Sequence, residues 1–254
     1  MAAYCRRVPG SVPGVAAALG WGALAASSLV VGALLALART WPDRIVGIVL
    51  AFGAGALISA VSFDLAAEGV RLGGADPVAL GLAAGAVTYF LADRGVDRIG
   101  RPRGARGSAS DDAGPALALG AFLDGIPEQL VLGIGISAGD GVSVGLLAAI
   151  FVSNLPESIG SASDMRAAGR GAAAIVRLWI VVALICTLAT VAGYALADST
   201  SGDLQAGING FAAGALLVML IDSMIPDARR KAGDYAGLVT VLGFAVAAAL
   251  SAAS

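Results

Sequence analysis

Apolar residues dominate this chain in long blocks, each about the length of a bilayer crossing and separated by short polar stretches. A helix needs about 20 mostly apolar residues to cross the hydrocarbon core. Eight blocks meet that length, predicting spans at 15–38, 45–67, 76–92, 114–137, 142–163, 175–197, 204–226 and 235–253. The chain 1–254 therefore reads as one all-α transmembrane domain. Arg6 and Arg7 before the first block, and Ala36-Leu37-Ala38 at its end, resemble a signal peptide. The apolar run is too long for a typical h-region, so a retained helix is expected. The stretch 93–113 is rich in Arg, Gly, Ser and Asp and predicts a flexible loop.

Composition closes off the soluble alternatives. The chain is 58% hydrophobic and 13% charged, whereas soluble domains carry about a quarter charged residues. A net charge of -2 without a long basic patch gives no reason to expect a nucleic-acid partner. Cys5 and Cys186 form no CxxC pair and read as a tail residue and a small buried hydrophobe. Thirteen of the sixteen basic residues fall in the loops after spans one, three, five and seven; Arg6, Arg7 and Arg71 are the exceptions. The positive-inside rule then puts those loops in the cytoplasm and both termini outside it, in a multi-pass protein of the plasma (cytoplasmic) membrane. Runs such as Gly53-Ala54-Gly55-Ala56 suit close helix packing in lipid.

Against this background the acids stand out. Asp64, Glu68, Asp124, Glu128, Glu157, Asp222 and Asp227 lie within or at the ends of spans, and no Lys or Arg lies clearly inside one. A charge at the centre of a membrane helix costs about 2.5–3.5 kcal/mol even on the lenient insertion scale. Such acids persist when a proton, one another or a bound cation neutralises them. Asp124 and Glu128 are four residues apart and share a helical face, as do Ser153 and Glu157. Each pair encloses a proline, in Asp124-Gly125-Ile126-Pro127-Glu128 and Ser153-Asn154-Leu155-Pro156-Glu157. An interior proline removes a backbone donor, and in hydrocarbon the freed carbonyl needs another partner. Spans four and five should therefore kink near mid-membrane and bring Glu128 and Glu157 within reach of one ion.

A second similarity joins Phe52-Gly53-Ala54-Gly55-Ala56-Leu57 of span two to Phe211-Ala212-Ala213-Gly214-Ala215-Leu216 of span seven, which runs the opposite way. Asp64 and Glu68 follow the first, Asp222 and Asp227 the second. Inverted internal repeats of this kind mark secondary transporters, whose ion sites sit at the repeat interface.

With these motifs the chain resembles the ZIP family of divalent-metal transporters. The resemblance covers nearly the whole chain and implies eight spans, outside termini and a homodimer. It also implies a metal site on the His-Asn-x-Pro-Glu-Gly type motif of span four and its counterpart in span five. The corresponding stretches here are Asp124 to Gln129 and Ser153 to Ser158, and Asp64–Glu68 and Asp222–Asp227 correspond to pore entrances. The chain departs from the pattern too. It has no histidine, Asp124 and Gly125 stand where the family has histidine and asparagine, and the span-six stretch 178–196 holds no carboxylate.

The candidate metal ligands are thus Asp124, Glu128, Ser153, Asn154 and Glu157, all of them oxygen donors, with Asn154 acting through its amide oxygen. Oxygen sites favour hard ions such as manganese, while zinc prefers nitrogen and sulfur. The resemblance points back to zinc, so zinc, manganese and iron stay open as transported substrates. No prosthetic cofactor is expected. The entrance would lie at Asp64 and Glu68 and the exit at Asp222 and Asp227. The chain holds neither an HExxH motif nor a GxxxxGK[ST] loop, so the expectation is a transporter and not an enzyme. Two alternatives share the scaffold: a proton- or cation-coupled carrier of another solute, and a non-transporting membrane protein.

Overall fold

The computed structural model of the protein describes residues 12–100, 113–137, 143–200 and 202–253. Within these, every regular element is helical. We number the continuous helices α1 (Val12–Ala38), α2 (Asp43–Gly73), α3 (Ala75–Gly100), α4 (Ala113–Ser137), α5 (Val144–Ala167), α6 (Ala172–Asp198), α7 (Asp203–Ala232) and α8 (Tyr235–Ala253). Among the described residues seven helices, all but α4, are long and apolar enough to cross a membrane. The side chains of 113–124 on α4 lie outside the described residues.

α2 and α7 outrun the expected spans. α2 continues to Gly73 and α7 to Ala232, each ending at a glycine with positive φ, Gly74 (88°) and Gly233 (65°). That left-handed conformation is open to glycine at little cost, so the sequence stops both helices at the turn and not at the last apolar residue. α3 likewise runs on to Gly100, so 93–100 of the expected loop is helix; the rest of that loop up to 112 lies outside the described residues. Hydropathy marks where lipid ends, and a helix needs no lipid to continue.

Both extended helices loosen at the same place. α2 passes through a π-helical segment at Val61–Ala67 and α7 through one at Leu220–Met224. Each begins nine residues after the phenylalanine of the shared stretch, Phe52 or Phe211. Single π turns inside α-helices are frequent at functional sites, and Asp64 and Asp222 sit within these two.

Packing follows the glycines. α2 lies against α8, where a Cβ on Gly55 would strike the Thr240 carbonyl and one on Gly243 the Phe52 carbonyl. α3 lies against α7 through Gly81, Gly85, Gly210 and Gly214, and α4 against α6 through Gly133 and Gly193. α1 meets α5 at Gly32, over Leu155 and Ser158. Small residues allow this because helix association in lipid rests on close van der Waals approach. These are among the most extensive contacts in the molecule. Exchanging α1 with α6, α2 with α7, α3 with α8 and α4 with α5 converts α2–α8 into α3–α7, and α1–α5 into α4–α6. The pairing scheme maps onto itself, as an inverted repeat requires.

Candidate functional site

α4 and α5 carry Pro127 and Pro156 inside otherwise continuous helices. Proline offers no N–H, so the carbonyls of Leu123 and Val152 lose their helical donor. The residues around these gaps are polar and sealed in. Glu128, Gln129, Ser153 and Asn154 are each 0% exposed, which is costly for such side chains unless they are partnered.

Ser153 Oγ lies 3.0 Å from Glu128 Oε1 and 3.0 Å from the Ile150 carbonyl, so its single proton serves two acceptors. This bond joins α5 to α4. Gly53 of α2 lets the third wall approach, since a Cβ there would lie 2.9 Å from Ser153 Cα. Beside Ser153, Asn154 has both Oδ1 and Nδ2 buried without a hydrogen-bond partner among the described residues. An amide with its donors and acceptor unused inside the protein loses about 1–3 kcal/mol per group, a cost that a ligand would remove.

From α6, Thr190 donates to Gln129 Oε1, and the buried free thiol of Cys186 faces Gly125. A Cβ on Gly125 would lie 2.9 Å from that sulfur. Cys186 is buried, as expected of a small hydrophobe. Its place against Gly125 of α4 is set by long-range packing that no local pattern announces.

Glu157 has a different setting. It is half-buried and lines a cavity of about 640 Å³. Pro156 and Glu157 form one end of this space. The exposed residues Asp43, Asp164 and Arg230 lie at the other, on the side of the molecule that carries the arginine-rich loops. α2, α5 and α7 supply most of the walls.

The remaining sequence candidates divide. Asp227 lines the cavity and pairs with Arg230 at 2.9 Å, whereas Asp222 is exposed and takes no part in the lining. At the opposite end Asp64 is half-buried beside Ser143, and Glu68 is paired with Arg71. Asp124 lies on α4, but its side chain is outside the described residues. Among the described residues, no three His, Cys, Asp or Glu side chains form a group that could hold a metal. The donors assembled there are Glu128 and Ser153 in contact, Asn154 adjacent, and Glu157 one turn further on α5.

No protein-family model matches the chain. It is 33% identical over 191 residues to an Arabidopsis thaliana protein named "Putative zinc transporter At3g08650". The match takes in 73% of this chain and 30% of that protein, so the chain spans under a third of its relative's length.

Proposed function

We propose that this protein carries a divalent transition-metal ion across a membrane, on a ZIP-like scaffold of eight spans with α4 as the eighth. The observation that carries the reading is the meeting of the two proline–glutamate segments. Glu128 is sealed inside against Ser153, and Glu157 on the same arm of α5 opens to a polar cavity. Fixed negative charge in an apolar layer, next to an unused amide and a path to the surface, is what a cation carrier needs. The relative's printed name favours zinc. The donor chemistry of Asp124, Glu128, Ser153, Asn154 and Glu157 accommodates zinc, manganese or iron, because carboxylates bind all three.

In this reading the ion enters past Asp64 and Glu68, exchanges water for the oxygens around Glu128 and Glu157, and leaves past Asp227. The bias of arginines towards the cavity end supports a cytoplasmic assignment of that end, with both termini outside; the plasma membrane is kept as part of the proposal. The homodimer implied by the family resemblance is kept as part of the proposal. A second reading, a cation-coupled carrier of another solute, draws on the cavity's volume, which far exceeds a bare ion.

Uptake of Zn²⁺, Mn²⁺ and Fe²⁺ into proteoliposomes tests the proposal. Wild type should move at least one metal, and Glu128→Ala combined with Glu157→Ala should lower that flux at least about 100-fold, above the range typical of outer-shell groups. No metal flux from folded wild-type protein would overturn the reading and favour the other-solute carrier.

A further inference from the structure

The vestibule below Glu157 holds the chain's only lysine, Lys231. It sits at the last turn of α7, and its position is fixed by α2. A Cβ on Gly47 would lie 2.5 Å from the Ala232 nitrogen and 2.6 Å from Lys231 Cβ, so this glycine lets the end of α7 lie directly on α2. From there the side chain crosses to α5. Its Nζ is 3.3 Å from where a Cβ on Gly160 would be, and Gly160 follows Glu157 by three residues, on the same helical face.

The charges around it differ in what they are doing. Arg230 is occupied by Asp227. Lys231 makes no ion pair among the described residues, although Glu157, Asp164 and Asp43 line the same cavity. The internal repeat shows that this lysine is no by-product of the scaffold. Glu68 and Arg71 at the end of α2 form an ion pair three residues apart, and Asp227 and Arg230 repeat it at the end of α7. The next residue is Leu72 in the first copy and Lys231 in the second. The two ends of the molecule are built alike, and the ammonium is added at the end where this cavity lies.

We propose that Lys231 is a tethered counter-cation of the vestibule: its ammonium lies against α5 beside Glu157 in the empty state and is displaced by an ion passing outward from the site. This rests on the metal-transport reading and assigns the release step within it. A fixed positive charge in the exit path weakens binding of a divalent ion from that side and returns to neutralise the acids once the ion has gone. A methyl-terminated side chain of similar length would leave the acids to hold the ion.

The experiment measures Zn²⁺ affinity and proteoliposome flux for wild type, Lys231→Met and Lys231→Arg. In Lys231→Met, Zn²⁺ should bind on the order of ten-fold tighter, the scale expected for removing one nearby charge at the effective dielectric of a half-buried site. Its maximal flux should fall, and Lys231→Arg should stay close to wild type. A second readout needs no variant. Lys231 is the chain's single lysine, so its rate of amine modification, mapped by peptide, should rise several-fold when Zn²⁺ fills the wild-type protein. Unchanged affinity and flux in folded Lys231→Met, or modification that ignores Zn²⁺ in protein that binds it, would overturn the role of Lys231 alone. Wild type that neither binds nor moves a divalent metal would overturn the metal-transport reading, and this inference with it.

Discussion

Glu128 and Glu157 each follow a proline by one residue, on neighbouring helices that run in opposite directions, yet one is sealed at 0% exposure and the other lines a cavity. The scaffold around them is nearly symmetric: the helix pairings interchange, the π segments recur at matched positions, and the terminal ion pairs repeat. What differs is how closely the long helices approach. Gly53 lets α2 reach the backbone at Ser153, but the matched residue on α7 is Ala212, which carries a methyl group. α2 accordingly packs more extensively on α5 than α7 does on α4. Two similar motifs in one scaffold have been given different access to the surface.

The sharpest way to break this comparison is to ask each motif whether water reaches it. Gly160 and Val131 occupy matched positions, three residues after Glu157 and Glu128. In a chain freed of its native cysteines by Cys5→Ser and Cys186→Ala, Gly160→Cys should react with a polar thiol reagent at least about 100-fold faster than Val131→Cys, because thiol reactivity follows exposure and thiolate character. The reagent should act from the arginine-rich side. Equal rates would dissolve the difference between the two segments.

How much of this was legible beforehand follows from range. Seven of the expected spans, the prolines inside α4 and α5, and the similarity of α2 to α7 are local or periodic features, and the folded chain keeps them. The end of α7 was misplaced because its last turn, Asp227-Ala228-Arg229-Arg230-Lys231, is polar and helical at once. Hydropathy therefore cut it off, and with it went the contact of Lys231 with α5. Asp222 and Asp227 were both expected at the exit, but five residues apart on one helix they face different ways: the first is exposed and the second lines the cavity. The burial of Cys186 was legible, but its contact with Gly125 and the Thr190 bond to Gln129 were not. Both come from α6 lying against α4, and that pairing is written in Gly133 and Gly193, whose spacing says only that some helix comes close.

The next largest effect should come from the residue that makes the two halves unequal. Gly53→Val places branched carbon where Ser153 Cα already stands within 2.9 Å of a Cβ. Overpacking of this kind costs about 1–3 kcal/mol, and here it falls on the contact that holds α2 against α5. Metal uptake should drop roughly ten-fold, the rate equivalent of about 1.4 kcal/mol, with a lowered melting temperature. Ala212→Gly, the reciprocal change on α7, should leave stability within about 1 kcal/mol of wild type while making Val131→Cys more reactive. A Gly53→Val protein with wild-type flux would show that close approach of α2 is packing alone.

The smallest effect belongs to the hydroxyl that ties the motifs together. Ser153 Oγ donates from α5 to Glu128 on α4, a bond to a group that would carry charge whenever an ion is bound. Hydrogen bonds to charged groups contribute about 1.5–3 kcal/mol, but this proton is shared with the Ile150 carbonyl, which places the loss in Ser153→Ala at the lower end. Zn²⁺ affinity should weaken by roughly ten-fold or less, while the labelling contrast between Gly160→Cys and Val131→Cys persists. Ser153→Thr keeps the hydroxyl and should restore binding if the added methyl is accommodated beside Gly53. An affinity unchanged in Ser153→Ala would mean that Glu128 is held by its helix alone and that the bridge between the two segments is a consequence of their approach and not a cause.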